Sequence, residues 1–389
     1  MTKLEELIEK LCPDGVEYKE IGSIAVLGAG GDVPKARFSA EKTVELNIPI
    51  YSNGIEEKAI YGYTDIPKVD EPSITISARG TIGWCALRKE PFYPIVRLIY
   101  VTPNNEILID FLKYVIDTIK FKVPKTGIPQ LTIPMVSKYK IPVPPLEVQR
   151  EIVRILDNFT FLTTELAAEL AARQKQYEYY RDLLLTFKPN ESTILNERTN
   201  ELELSGTIRW MKLGDTCVLK AGKAISATEI SQNVNDDYIY PCYGGNGLRG
   251  YVKNYNQDGE HPIVGRQGAL CGNVCYACNK FYATEHAVVV SPSALYNEKF
   301  LYYLLDFARL EQYKTAGAQP GLSVARLEKV VLPVPPLEVQ QRIVDILDRF
   351  DALCNDISNG LPAEIEARQK QYEYYRDKLL TFKELKKEA

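Results

Sequence analysis

The stretch Ile141-Pro-Val-Pro-Pro-Leu-Glu-Val-Gln149 returns as Leu332-Pro-Val-Pro-Pro-Leu-Glu-Val-Gln340. A second stretch, Ala172-Arg-Gln-Lys-Gln-Tyr-Glu-Tyr-Tyr-Arg-Asp182, returns as Ala367-Arg-Gln-Lys-Gln-Tyr-Glu-Tyr-Tyr-Arg-Asp377. Near-identity over such lengths marks an internal repeat, and a repeat decides the architecture before any single residue does. The first pair is offset by 191 residues and the second by 195, so the second copy holds four more residues. Between these constant stretches the chain matches itself only weakly. Pro49-Ile50-Tyr51-Ser52-Asn53-Gly54 parallels Pro241-Cys242-Tyr243-Gly244-Gly245-Asn246-Gly247, and Phe111-Leu112-Lys113-Tyr114 parallels Phe300-Leu301-Tyr302-Tyr303. The order is therefore variable, constant, variable, constant. Two modules on one scaffold that differ at the surface suit a bipartite target.

Each constant segment reads as a long helix. Pro144-Pro145 stands at the entry, where proline is tolerated. Ile152, Leu156, Phe159, Leu162, Leu166 and Leu170 then form a stripe at 3/4 spacing, continued by Tyr177, Tyr180 and Leu184. Neither Gly nor Pro interrupts residues 146–188, which would give a helix roughly 60 Å long. In the second copy, Asn359-Gly360-Leu361-Pro362 is expected to break or kink the helix, with Pro362 starting a new one. The variable halves read as mixed α/β. Their strands are expected at Ser73–Ser77, Val96–Val101, Pro262–Gly265 and Ala287–Val290, and their helices near Ile107–Lys120 and Asn297–Tyr313. The expected fold class is α+β: two α/β domains (1–141 and 207–332) separated by two long, roughly antiparallel helical segments (142–188 and 333–389). A polar linker is expected at 189–206.

The chain has 389 residues, 45% hydrophobic and 25% charged, with a formal net charge of −4. This is the composition of a globular protein of two or three domains. No apolar run approaches the ~18 residues of a membrane span. The start is acidic and amphipathic, unlike a secretory signal, and eight cysteines suggest thiols in a reducing cytoplasm rather than a disulfide framework.

With the repeat in view, the chain resembles the specificity subunit of type I restriction–modification enzymes over essentially its whole length. The two paired motifs carry the resemblance, together with the opening Leu11-Cys-Pro-Asp-Gly-Val-Glu-Tyr18. The resemblance implies two target-recognition domains, each reading one half of a split double-stranded DNA sequence. It implies helices that fix the half-site spacing and dock two methyltransferase subunits, with motor-nuclease subunits completing the complex. It implies no catalysis and no cofactor in this chain; the partner subunits would use S-adenosylmethionine, ATP and Mg. Thr163-Thr-Glu-Leu166 followed by Ala167-Ala-Glu-Leu170 is a tandem tetrad, which the family uses as a ruler. Ala, Glu and Leu are also simply good helix formers.

Base readout needs planar donors and acceptors on loops: Arg for guanine, Asn or Gln for adenine. Candidates in the first module are Lys35, Arg37, Ser52, Asn53, Arg79, Thr81, Lys125, Thr126 and Gln130. In the second they are Lys223, Asn246, Arg249, Arg266, Gln267 and Gln319. Gly80 and Gly268 follow Arg79 and Gln267 in matching positions, so a turn there would present the side chain. A plain surface role is the competing reading for each. Lys113, Lys120, Lys122, Lys125, Lys138 and Lys140 share their stretch with one acid, Asp117. They suit phosphate contacts or a merely solvated face. Tyr177, Tyr179, Tyr180 and Arg181, and their repeats Tyr372, Tyr374, Tyr375 and Arg376, are residue types enriched at interface hot spots. Helix-on-helix packing would use some of the same rings.

Enzyme motifs are missing. Gly222-Lys223 lacks the glycine that a phosphate loop requires at position 217, which is Cys. Gly245-Asn-Gly-Leu-Arg-Gly250 precedes a strand-like Tyr-Val-Lys rather than a helix, against dinucleotide binding. Cys275-Tyr-Ala-Cys278 has metal-ligand spacing, with Cys271 nearby and Cys242 or His286 as a possible fourth ligand. The first module offers only Cys85 at the corresponding place, so buried thiols are the expected reading and no metal site is assigned. An adaptor whose two modules grip two protein partners is the alternative to a DNA reader, and the acidic balance fits it.

Overall fold

The computed structural model describes residues 2–123, 129–187, 195–196, 201–202, 208–268, 270–315, 321–356 and 358–385. The chain divides into two compact units, Met1–Ala167 with Glu364–Ala389, and Ala168–Ala363.

In the first unit, a capping box on Thr2 and Glu5 starts α1 (Lys3–Leu11). Strand β1 (Glu17–Glu20) pairs antiparallel with β9 (Lys140–Val143), which delivers the chain into the constant segment. A one-turn α2 (Ile21–Ile24) leads into the main sheet. Its order is β2–β8–β5–β6 (Ala25–Ala29, Leu98–Pro103, Ser73–Ser77, Cys85–Arg88), and every pairing is antiparallel. A smaller sheet joins β3 (Ile48–Tyr51) to β4 (Ile60–Thr64) antiparallel and to β7 (Tyr93–Pro94) parallel. Helix α3 (Ile109–Thr118) buries Phe111, Leu112, Val115 and Ile116 among Ile74, Ile76, Ile99 and Val101 of the main sheet. A short α4 (Ile133–Ser137) follows. The tail closes the unit: Val16 N–H donates to the Lys383 carbonyl at 2.9 Å, and Leu385 N–H donates back to Val16 at 2.8 Å.

The second unit repeats this plan. Arg209–Lys212 pairs with Val331–Val334, and Cys217–Ala221, Ala287–Pro292, His261–Gly265 and Val274–Ala277 form the four-stranded antiparallel sheet in that order. Its helices are α6 (Leu213–Thr216), α7 (Glu298–Phe307) and α8 (Val324–Leu327). Asn297, at the start of the expected helix, is its N-cap and accepts from Lys299 and Phe300 N–H. That helix stops at Phe307, and Arg309 then takes a left-handed conformation (φ 46°) before a separate 3₁₀ turn, Leu310–Tyr313.

The first constant segment is one helix, α5 (Leu146–Leu185). The second is two, α9 (Leu337–Asn355) and α10 (Leu361–Leu379), broken around the Asn-Gly pair with Pro362 in the first turn of α10. Gly360 is obligatory at the break. A Cβ there would stand 2.6 Å from the carbonyl oxygens of Ala352 and Asp356.

The constant motif explains itself at the junction with each module. Gln149 is fully buried. Its amide donates to the carbonyls of Glu106 (3.0 Å) and Pro144 (2.7 Å), and its Oε1 accepts from Leu108 N–H (2.8 Å). Gln340, equally buried, donates to Leu295 (2.9 Å) and Pro335 (2.8 Å) and accepts from Asn297 N–H (2.8 Å). Each glutamine thus fastens the start of a module helix to the start of a spacer helix. One turn or more further on, Tyr114 donates to Asp157 and Tyr303 to Asp348, both at 2.6 Å. Burial first, and then the carboxylate, pushes both phenols well above their ordinary range.

Candidate nucleic-acid interface

In the first unit, one end of the main sheet gathers three loops and one extended segment. The β5–β6 loop carries Arg79, Gly80 and Thr81; Gly80 is left-handed (φ 72°), which turns the chain sharply after Arg79. Leu131 N–H donates to the Ala78 carbonyl at 2.9 Å, which lays residue 130 alongside Arg79. Gln130 Oε1 then accepts from both Nε (3.0 Å) and Nη2 (2.5 Å) of Arg79. From the loop after β3, Asn53 Nδ2 donates to the Arg79 carbonyl (2.9 Å), Thr81 Oγ1 donates to the Asn53 carbonyl (2.8 Å), and Ser52 Oγ donates to Asn53 Oδ1 (3.2 Å). Five residues scattered between positions 52 and 130, Ser52, Asn53, Arg79, Thr81 and Gln130, are therefore one connected cluster. Behind it, Arg88 lies 3.7 Å over the Tyr51 ring, and its Nε donates to Thr75 Oγ1 at 3.2 Å. Burial holds that guanidinium below its ordinary range.

The remaining candidates of this module lie elsewhere. Lys35 and Arg37 sit on a separate 3₁₀ turn, where Arg37 pairs with Asp65 at 3.0 Å. Among the described residues no hydrogen bond or ion pair joins them to the cluster. Lys125 and Thr126 lie outside the described residues. Of the lysine group, Lys113 pairs with Asp117 on its own helix. Lys120, Lys122, Lys138 and Lys140 are exposed and, among the described residues, without an ion pair.

The second unit has the same backbone at this end. Arg266 N–H donates to the His286 carbonyl (2.9 Å) as Ala78 N–H does to Arg97 (2.7 Å). Leu322 N–H donates to the Arg266 carbonyl (2.8 Å) as Leu131 N–H does to Ala78. Gln267 thus stands where Arg79 stands, and Gly268 (φ 96°) where Gly80 stands. The hairpin turn Gly245-Asn246 lies against the loop, since a Cβ on Gly245 would meet the Gln267 carbonyl at 2.5 Å. Asn246 and Arg249 are exposed beside it. Lys223 N–H is held to the Ala283 carbonyl at 3.0 Å. Arg266 Nε, Thr284 Oγ1, Glu285 Oε2 and His286 Nδ1 are buried polar atoms without a partner among the described residues, an unusual density of such atoms. Gln319 lies outside the described residues.

Sequence reasoning missed Arg97, and it named the counterpart His286 only as a possible metal ligand. The run from Val96 has the pattern of a strand, but β8 begins at Leu98. Residue 97 sits in the preceding turn with φ 80°, a strained conformation for arginine. Only the close approach of the 78–79 backbone selects that turn, and no local pattern announces it.

The tyrosine segments divide by face. Tyr180 stacks on Phe350 (5.5 Å) with Tyr177 beside it, within the second unit; Tyr375 stacks on Phe159 (5.5 Å), within the first. Tyr372 packs into the first unit's core. Arg181 and Arg376 each bind the neighbouring aspartate, Asp182 or Asp377. Tyr179 and Tyr374, at repeated positions, are 64% and 63% exposed. Of the cysteines named for spacing, Cys242 and Cys271 are buried and Cys278 exposed. Among the described residues no group of three or more His, Cys, Asp or Glu is placed to hold a metal ion.

The profile described as the type I restriction modification DNA specificity domain matches residues 13–173 and again 207–367. The chain belongs to that family. The specificity subunit of the EcoprrI enzyme from Escherichia coli is 46% identical over 217 residues, 55% of this chain and 51% of the relative. The chain therefore matches about half the length of that protein. The EcoR124I/EcoR124II specificity subunit, also from Escherichia coli, is 33% identical over 316 residues, 74% of each chain. The S subunit from M. genitalium shares the fold, with a TM-score of 0.60 at 17% identity, covering 98% of this chain and 99% of that one. Two specificity domains in tandem are thus the family's pattern in this chain. Among the described residues no helix is long and apolar enough to cross a membrane.

Proposed function

We propose that this chain is the non-catalytic DNA-recognition subunit of a type I restriction–modification complex. Each module reads one half of a bipartite duplex, α5 with α9 and α10 sets the distance between the halves, and the exposed helix faces dock methyltransferase subunits. Motor-nuclease subunits complete the assembly. Group transfer with S-adenosylmethionine, and ATP- and Mg-dependent work, belong to those partners, and this chain carries no cofactor of its own. The observation that carries the reading is the pair of loops held by the same backbone hydrogen bonds, with different residues at matched positions: Arg79 against Gln267, Arg97 against His286, Gln130 against Gly321. Two like scaffolds bearing different hydrogen-bonding edges are what reading two different half-sites requires.

The test is to assemble the chain with its methyltransferase subunits and select bound duplexes from a random pool. A motif of two fixed halves separated by a spacer of constant length is expected. Exchanging residues 207–332 for those of a relative should replace one half and leave the other. A pool with no enriched motif, or one continuous motif, would overturn the reading.

A further inference from the structure

We infer that Arg79 reads a guanine in the major groove of the first half-site, with Gln130 as the residue that positions it. The inference rests on the proposed reading of half-sites and adds which base is read, by which atoms, and why this side chain can do it.

A guanidinium has five N–H donors in a fixed fork. Gln130 takes two of them, on Nε and Nη2, through a single oxygen. That fixes the plane of the group and leaves the outer edge, one N–H on Nη1 and one on Nη2, parallel and unspent. Those two donors match the paired acceptors O6 and N7 that only guanine presents in the major groove. The arginine is half-buried and its partner exposed, so the pair lies at the surface without being loose. Its backbone is tied as well, by Asn53 on the Arg79 carbonyl and by the left-handed Gly80. An unbraced surface arginine has many rotamers to lose on binding. Bracing removes much of that cost before DNA arrives, as pre-organisation does generally.

The other arginines of the first module do not meet these conditions. Arg37 spends its guanidinium on Asp65, and Arg88 lies half-buried over the Tyr51 ring. Arg97 is exposed and, among the described residues, has no side chain bracing it. The second module supplies a natural contrast. Its equivalent residue is Gln267, whose amide presents the donor–acceptor pair that suits adenine. The residue opposite is Gly321, which has no side chain to brace anything, and a glutamine reader needs no guanidinium brace.

The experiment is random-pool selection with the assembled complex carrying wild type, Arg79→Lys, Arg79→Gln or Gln130→Ala. Wild type is expected to fix a G·C pair at one position of one half-site. Replacing that guanine by 7-deazaguanine, which lacks N7, should weaken wild-type binding roughly tenfold. Arg79→Lys keeps the charge but loses the fork, so it should relax that single position while the other half-site stays fixed. Arg79→Gln should shift the preference there toward A·T. Gln130→Ala should lower the discrimination by less than Arg79→Lys does. If a bipartite motif emerges and Arg79→Lys leaves every position unchanged, or weakens all duplexes equally, Arg79 is a bystander or a phosphate contact and the inference fails. If wild type itself yields no bipartite motif, the reading on which it rests fails instead.

Discussion

Gln149 and Gln340 show how much one residue can hold. Each buried amide satisfies one carbonyl and one N–H at the root of a module helix and one carbonyl at the entry of a spacer helix. Truncation would strand all three groups away from water, at about 3 kcal/mol in total. Gln149→Ala should therefore loosen the start of α3 while leaving α7 intact, and Gln340→Ala should do the reverse. Amide hydrogen exchange at residues 108–112 and 297–301 separates the two outcomes. Equal protection in both variants would show that the apolar contacts of α3 and α7 suffice. The motif was legible as a repeat, but the role of its glutamine was not, because its partners on the module side lie 41–45 residues away in sequence.

At the scale of elements, the helix break in the second constant segment was readable from local chemistry alone. Asparagine, glycine and proline within four residues disfavour a helix interior whatever surrounds them. The structure adds why the glycine tolerates no replacement: three carbonyl oxygens, of Ala352, Asp356 and Leu353, crowd its Cα within 2.9 Å of any added Cβ. Gly360→Ala should cost about 1–3 kcal/mol through forced displacement and fray the last turn of α9. Cys354, now 2% exposed, with burial holding its thiol above the ordinary range, should then react faster with an alkylating reagent. An unchanged alkylation rate would mean that the break relaxes at no cost. The strands were legible where a run is buried on both faces, as in Ser73–Ser77. The turn at Arg97 was not, because its residues are strand formers bent by a neighbouring loop.

For the whole molecule, α5 offers a physical reason for a spacer. From Asp157 to Leu183 no residue of α5 is fully buried, and the tandem tetrads lie inside that stretch. Removing Ala167–Leu170 therefore disturbs little packing while shortening the helix by ~6 Å. On the proposed reading, the deletion should keep both half-sites and shorten the spacer by about two base-pair steps; an unchanged spacer would sink the ruler. Docking makes a separate prediction. Tyr179→Ala and Tyr374→Ala should leave the thermal stability of the chain within about 0.5 kcal/mol, as for exposed positions. Each should nonetheless weaken assembly with methyltransferase subunits by at least tenfold, the scale of an aromatic hot spot. Co-purification and titration calorimetry read this directly, and wild-type assembly would assign docking to other residues.

The sequence by itself determined the repeat, the long helices, the break in the second of them and the main strands. These depend on periodicity and on residues whose backbone preferences are intrinsic. Only the tertiary structure decided which loop residues meet, which tyrosines face inward and which arginine is braced. Such contacts join segments tens of residues apart, and a long-range approach leaves no periodic trace in either segment.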